Sequence, residues 1–210
     1  GVSPLYLVDW PIVQSARARE IIGDAVRRGK AEVGVQLHPW VNPPFDEEVN
    51  TFNSFAGNLP AELEREKFIR LRDAIEEGFG TAPISYRAGR YGLGPSTKAI
   101  LHDTGIRVDT SVRALFNHPY WVSREPELLE LPVTSVYRGA LRRSGATLFP
   151  KLTRLPRGAG IASRTGLLER VRLTPEGTPL GAAKKAVDAA LDAGLPVLVL
   201  SFHSPSLAPG

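Results

Sequence analysis

The chain lacks cysteine and methionine, and it has no long apolar run. Of its 210 residues none is cysteine, which excludes disulfides, thiolate nucleophiles and cysteine-based metal sites. No stretch approaches the roughly 18 uninterrupted apolar residues of a transmembrane helix. In a signal peptide, positive residues precede an apolar segment. Here Arg17 and Arg19 follow the first apolar stretch, so the N-terminal sequence does not resemble a signal peptide. The hydrophobic fraction of 42% and the charged fraction of 23% are typical of a globular domain.

The missing methionine and the terminal sequences indicate a piece of a longer protein. The first residues, GVSPLYLVDW (1–10), read as the entrance of a strand. The last ones, HSPSLAPG (203–210), read as a loop that leaves a strand. We therefore expect a fragment or a processed form that is truncated at both ends.

The positive charge of the chain is small but unevenly distributed. The net charge is +4, yet residues 138–172 contain nine Lys or Arg residues against a single acid, Glu169. Such a stretch is most simply a solvated surface, and the alternative is a surface for an anionic partner.

Strand patterns alternate with helix patterns along most of the chain, which is typical of a parallel sheet in a barrel or a doubly wound fold. We expect one domain over residues 1–210. The middle section, 113–177, looks irregular, with one strand pattern at 128–138. The other strand patterns cover 4–10, 31–40, 83–92, 106–112 and 196–204, and the helix patterns cover 15–29, 60–80, 95–105 and 178–194.

An ionisable side chain stands at the end of five of these strand patterns. In parallel α/β folds ligands bind at the carboxyl ends of the strands, so these side chains are expected to converge on one site. Taken singly, each has a structural alternative, such as a turn cap for an aspartate or a core position for a histidine. The strand-end residues are Asp9, His38, Arg87, Arg90, Asp109 and His203.

Four segments resemble the motifs of the polysaccharide deacetylase family, also known as the NodB homology domain or carbohydrate esterase family 4. They occur in the family's order: HPWVNP (38–43), YRAGRYG (86–92), VDTSV (108–112) and VLVLSFHSPS (197–206). The resemblance implies a distorted (β/α) barrel, here expected to lack its first strand. It also implies a hydrolase that removes N- or O-acetyl groups from a carbohydrate.

The resemblance further implies a divalent metal ion, with zinc favoured and cobalt or nickel as alternatives. Its ligands would be His38, Asn42 and an aspartate from a motif expected upstream of residue 1. Asn42 stands where the family has a second histidine, and a neutral amide oxygen is a poorer zinc ligand than imidazole. Metal binding is therefore either altered or weakened in this chain.

Catalytic roles also follow from the resemblance. His203 would protonate the leaving group, and Asp109 would tune the basicity of His203. Arg87 would orient a catalytic aspartate, and the backbone N–H of Tyr91 would stabilise the oxyanion.

Substrate contacts are expected from Asp9, Trp40 and Arg90, with the Trp40 ring suited to stacking on a sugar. The implied partner is an acetylated glycan, and no nucleic acid is expected. Two alternatives stay open: a catalytically impaired carbohydrate-binding member of the same fold, and a nucleic-acid or anionic-surface binder that uses residues 138–172.

Overall fold

The computed structural model describes residues 3–112 and 118–207, and these divide into two compact units. The first unit comprises residues 1–112 and 120–131, and the second comprises 113–119 and 132–210. A single domain over the whole chain stays a prediction. No helix in the described ranges is long and apolar enough to cross a membrane.

The first unit is built on a six-stranded sheet with the strand order β1-β2-β3-β4-β6-β5. All pairs are parallel except the β5–β6 hairpin, which confirms the predicted mixed α/β class with parallel strands. Within the described residues β1 and β5 are the two edges of the sheet, so closure into a barrel is not seen there. The strands are β1 (Leu5–Val8), β2 (Glu32–Leu37), β3 (Ser85–Ala88), β4 (Val108–Asp109), β5 (Tyr120–Arg124) and β6 (Glu127–Glu130).

The helix patterns 15–29, 60–80 and 95–105 are confirmed to within two residues at each end, whereas the short helix at Trp10–Gln14 was not predicted. The side chain of Ser15 accepts a hydrogen bond of 3.3 Å from the N–H of Ala18 and so caps the second helix, as predicted. Gly80 ends the third helix in the left-handed conformation, with φ +71°. The helices are α1 (Trp10–Gln14), α2 (Ala16–Arg27), α3 (Ala61–Phe79) and α4 (Thr97–Asp103).

The core of the first unit lies between α3 and the sheet. Leu71 and Ile75 are fully buried on the apolar stripe of α3, and Phe68 on the same stripe meets the Tyr86 ring edge-on at 5.4 Å. Burial of each such side chain contributes about 1.5–3 kcal/mol to the free energy of folding. The packing of α3 therefore stabilises the sheet and the strand ends.

The second unit contains a two-stranded antiparallel sheet and three helices. The prediction of an irregular middle section is therefore wrong, because residues 135–172 fold into regular elements. The predicted strand 128–138 is in fact two strands from different units, separated at Pro132, which has no N–H to donate to a ladder. The elements are β7 (Ser135–Arg138), α5 (Gly145–Thr153), α6 (Gly158–Arg164), β8 (Glu169–Arg172) and α7 (Leu180–Asp192).

The predicted buried strand at 196–204 is also wrong. Residues 197–203 form no strand, and the side chains of Leu200 and Phe202 are exposed. Single backbone hydrogen bonds connect this segment to Thr134 and Leu173. An apolar run becomes a strand only beside a continuous ladder partner, and these isolated bonds do not provide one.

Candidate functional site

Polar side chains meet at the carboxyl ends of four neighbouring strands of the first unit. We call His38, Arg87, Asp109 and Glu130 the strand-end rim. His38 directly follows β2, Arg87 lies in β3, and Asp109 and Glu130 are the last residues of β4 and β6. Asp109 and Glu130 are register partners across β4 and β6. The structure therefore places three predicted site residues on adjacent strands and adds Glu130, which was not predicted.

Asp109 and Glu130 form a buried carboxyl pair. Their residues are 4% and 1% exposed, and as register partners they place their side chains next to each other on one face of the sheet. The N–H of Ser111 donates to Asp109 Oδ1 (2.9 Å), and the N–H of Val112 donates to Glu130 Oε1 (3.0 Å). Burial, followed by the nearby Asp109 charge, raises the pKa of Glu130 to about 8. Burial also raises the pKa of Asp109, against the hydrogen bonds from Ser111.

Arg87 brings a buried cation to the rim. Its Nε donates to the hydroxyl (2.9 Å) and to the carbonyl (3.2 Å) of Thr110, the residue after Asp109. Its guanidinium lies 5.8 Å from the centre of the Tyr91 ring. Burial lowers the pKa of Arg87, while Tyr91 and the two rim carboxyls act in the opposite direction. The bonds to Thr110 connect the end of β3 to the end of β4.

The turn after β3 holds two non-glycine residues in the left-handed region. Arg90 has φ +56° and Tyr91 has φ +60°, although side chains rarely tolerate this conformation. Gly89 comes so near to β2 that a Cβ there would lie 2.2 Å from the carbonyl oxygen of Leu37. Backbone strain of this kind collects at functional sites, which favours the predicted role of this turn.

Aromatic rings flank both turns at the rim. The half-buried His38 ring meets the Trp40 ring edge-on, with centroids 4.8 Å apart. Arg90 places its guanidinium 4.7 Å from the centre of the Phe55 ring. The predicted substrate residues Trp40 and Arg90 are thus held beside the rim by ring contacts.

Asn42 belongs to a buried network around Lys67. The Nδ2 of Asn42 donates to the carbonyls of Pro43 (2.8 Å) and Lys67 (2.9 Å), and the residue is fully buried. The Nζ of Lys67 donates to the backbone carbonyls of Pro39 (3.1 Å), Asn42 (2.6 Å) and Pro44. It also lies 2.8 Å from Glu47 Oε2, in an ion pair that is close but not aligned as a hydrogen bond. This network fastens the segment after β2 to α3.

The described residues contain no metal-binding cluster of their own. Among residues 3–112 and 118–207 no group of three or more His, Cys, Asp or Glu side chains is arranged to hold a metal ion. The Lys67 ammonium donates to the backbone carbonyl of Asn42, and a buried cation there opposes the approach of a second one. The ligand roles of His38 and Asn42 stay predictions.

Asp9 acts as a helix cap. Its side chain accepts a hydrogen bond of 3.2 Å from the N–H of Ile12 at the first turn of α1. The turn-capping alternative thus describes its contact in the structure, and its substrate role stays a prediction.

His203 lies in the second unit, where its partner is Glu176. The backbone N–H of His203 donates to Glu176 Oε1 (2.6 Å), and its Nδ1 lies 2.8 Å from the same oxygen. Ser206 Oγ donates to this oxygen as well (2.9 Å). These bonds, led by the backbone N–H, lower the pKa of Glu176. The His203 side chain is 81% exposed, so the expectation of a buried strand end is wrong at this residue.

Sequence reasoning missed Glu130, Lys67 and Glu176. A usable signal existed for Glu130, because it follows the apolar pair Leu128–Leu129 in the same way that Asp109 follows its strand. A second signal existed for Lys67, which occupies the buried stripe of α3 between Glu64 and Leu71. Glu176 lies in a loop and carries no such pattern.

Comparison with known proteins gives matches among solved structures alone: no protein-family model and no curated protein matches the chain. The chain is 24% identical to a protein assigned as a polysaccharide deacetylase from Mycobacterium smegmatis, over 63% of this chain and 41% of that one, with a TM-score of 0.48. A protein assigned as a polysaccharide deacetylase from Pseudomonas aeruginosa PAO1 matches with 16% identity, over 97% and 66% of the two chains, with a TM-score of 0.41.

The PuuE allantoinase matches with 17% identity, over 90% of this chain and 62% of that one, with a TM-score of 0.40. This chain spans less than two thirds of the length of each of the three proteins.

Proposed function

We propose that the chain is part of a hydrolase that removes acetyl groups from a carbohydrate. The observation that supports this most is the strand-end rim, where Arg87, Asp109 and Glu130 lie at the ends of three adjacent parallel strands. Ligands of parallel α/β proteins bind at this edge of the sheet. The names of the similar deacetylases are in keeping with the proposal.

Hydrolysis of an acetyl group needs donors for the oxyanion and a proton for the departing amine or alcohol. We assign the first task to the backbone N–H of Tyr91, and the left-handed turn between Gly89 and Gly92 supports this role. We assign the second task to His203. Its Nδ1 contact with Glu176 supports the assignment, because a carboxylate on one ring nitrogen orients the ring and leaves Nε2 to exchange protons.

A divalent metal requirement, with zinc before cobalt or nickel, is part of the proposal that comes from the family resemblance. The described residues offer His38 but no cluster of three ligands, so no step is assigned to a metal ion. Acetate release from metal-free protein, measured before and after addition of each ion, determines whether the requirement exists.

The proposed function is tested by acetate release from acetylated oligosaccharides. We expect His203→Ala to lower turnover about 10²–10⁴-fold with little change in KM, because general acid catalysis acts in the transition state. His118→Ala, at an exposed loop histidine, is the matched control and should leave turnover unchanged. Near-normal turnover in the His203 variant would contradict its role, and no acetate release from any substrate would contradict the proposed function.

A catalytically impaired carbohydrate-binding protein is the second candidate. It is favoured by Asn42, whose side-chain nitrogen donates to backbone carbonyls and whose own backbone carbonyl accepts from the Lys67 ammonium. This candidate predicts calorimetric binding of the same oligosaccharides without any acetate release.

A further inference from the structure

The two carboxyl groups at the ends of β4 and β6 form a pair that requires a proton. Asp109 and Glu130 are register partners across β4 and β6, so their side chains are neighbours on one face of the sheet. Two neighbouring carboxyl groups can be hydrogen-bonded to each other only when one of them is protonated. Both residues are buried, where two negative charges side by side would be costly. The backbone N–H donors of Ser111 and Val112 hold the two groups in place.

The partners of the pair decide which carboxyl keeps the proton. Asp109 accepts bonds from both the N–H and the hydroxyl of Ser111, and these favour its ionised form. Among the described residues, Glu130 accepts one backbone bond, from Val112. The proton therefore belongs mainly to Glu130, and Asp109 carries the negative charge, which acts on Arg87 in β3.

Other titratable groups surround the pair on each side. The negative charge of the pair acts on Tyr120 in β5 and on Tyr86 in β3. Burial together with that charge raises the pKa values of both tyrosines. Glu64 on α3 acts on Tyr86, and the pKa of Glu64 is itself raised by burial. Lys98 on α4 donates to the carbonyl of Val122 on β5. Arg87 is the cation that acts directly on Glu130.

We propose that Glu130 is a positioning residue of the strand-end rim, which holds one proton against Asp109 and so keeps the pair singly charged and Asp109 fixed at the end of β4. The role of Glu130 in a reaction rests on the proposed function, whereas the shared proton does not. Ionisation of Glu130 would place two negative charges together and disturb the end of β4. We therefore expect the strand-end rim to support the reaction at neutral pH, where Glu130 is protonated, and to lose this ability in alkali.

The shared proton is tested first without any activity assay, by urea unfolding of the intact chain between pH 4 and pH 9. The folded chain keeps a proton on Glu130 that the unfolded chain loses above its ordinary pKa of 4.5, so stability should fall as pH rises from there to about 8. Asp109, whose pKa is also raised, acts with the same sign. We expect Glu130→Gln, which mimics the protonated form, to flatten this fall.

Glu127→Gln is the matched control, since Glu127 lies on the same strand with an exposed side chain. It should keep the pH dependence of the unmodified chain. An equally steep fall in both variants would overturn the proposal. If Glu130→Gln does not fold, carboxyl ¹³C NMR of the unmodified chain gives the same answer: Glu130 must still be protonated at pH 6, and ionisation of both carboxyls below pH 5 would overturn it.

The positioning role is tested by the pH profile of acetate release. The unmodified chain should lose activity as pH rises through about 8, the pKa of Glu130. The glutamine variant should keep its activity through that range, because an amide does not titrate. A purely structural residue would lower activity at every pH and leave the alkaline limb in place, and that outcome would overturn the positioning role. If no acetate is released by the unmodified chain, the proposed function fails, and the unfolding data still decide on the shared proton.

Discussion

The first unit buries several of its charged groups, whereas the described ion pairs of the second unit stay in contact with water. In the first unit the side chains of Lys67 and Glu47 are 0% and 5% exposed. In the second, Glu169 and His203 keep 43% and 81% of their side chains exposed in their ion pairs. Removal of a charged group should therefore change the free energy of unfolding much more in the buried pair than in the exposed ones. Buried charges must be satisfied by fixed partners, and such partners also fix the geometry around them.

The sharpest test of this contrast is Lys67→Met. The substitution leaves Glu47 and three backbone carbonyls buried without their cation, so we expect a loss of about 3–5 kcal/mol of stability in urea unfolding. The matched control is Arg70→Met on the same helix. Its ion pair with Glu66 is about half exposed and 2.6 Å long. The control should change stability by about 0–1 kcal/mol.

Equal losses in the two variants would show that burial does not separate these ion pairs. A loss confined to Lys67→Met should be accompanied by weaker protection of the amides of residues 39–44 from hydrogen exchange, because Lys67 Nζ holds the carbonyls of this segment.

A smaller effect is expected from an added methyl group. In Gly89→Ala the new Cβ would lie 2.2 Å from the carbonyl oxygen of Leu37, and since that atom is backbone the strand ends must shift. We expect a cost of about 1–3 kcal/mol in thermal or urea unfolding. Gly160→Ala in α6 meets nothing within 4 Å and should be neutral or stabilise by up to about 1 kcal/mol. A tolerated alanine at residue 89 would contradict the close approach of this turn to β2.

The smallest effect is expected at Glu176. Glu176→Gln weakens the bonds to His203 and Ser206, and because these groups are exposed we expect a loss of at most about 1 kcal/mol. The pKa of Glu176 is lowered, so its contribution is present above the ordinary pKa of 4.5 and is lost as pH falls below it. The difference between variant and unmodified chain should therefore vanish in acid. A difference that persists at pH 3 would show that packing, and not charge, carries the effect.

Local patterns predicted the first unit well. Ser15 and Gly80 mark helix ends through hydrogen bonds and backbone conformations that involve only a few neighbouring residues. His38 and Asp109 stand at strand ends because apolar runs stop there. In the second unit the helix pattern 178–194 predicted α7, whereas α5, α6 and β8 were missed because they follow no long periodic pattern.

The predicted site could be found only in part for a related reason. Asp109 was recognised as a candidate site residue. Glu130 was not, because only the register of β4 against β6 places it next to Asp109. The segment 197–203 is as apolar as a buried strand, yet it has no ladder partner. Pairing of this kind joins residues that are remote along the chain, so a single sequence does not reveal it.

By itself, the sequence determined the parallel α/β class, the helix ends and the residues His38, Arg87 and Asp109 at the strand ends. These follow from turn chemistry and from periodicity, which act over a few residues. Tertiary structure alone decided that Lys67 and Glu130 are buried, that Glu176 is the partner of His203, and that 197–203 is not a strand. Burial and pairing depend on which distant groups exclude water from a side chain, and that becomes defined only when the chain has folded.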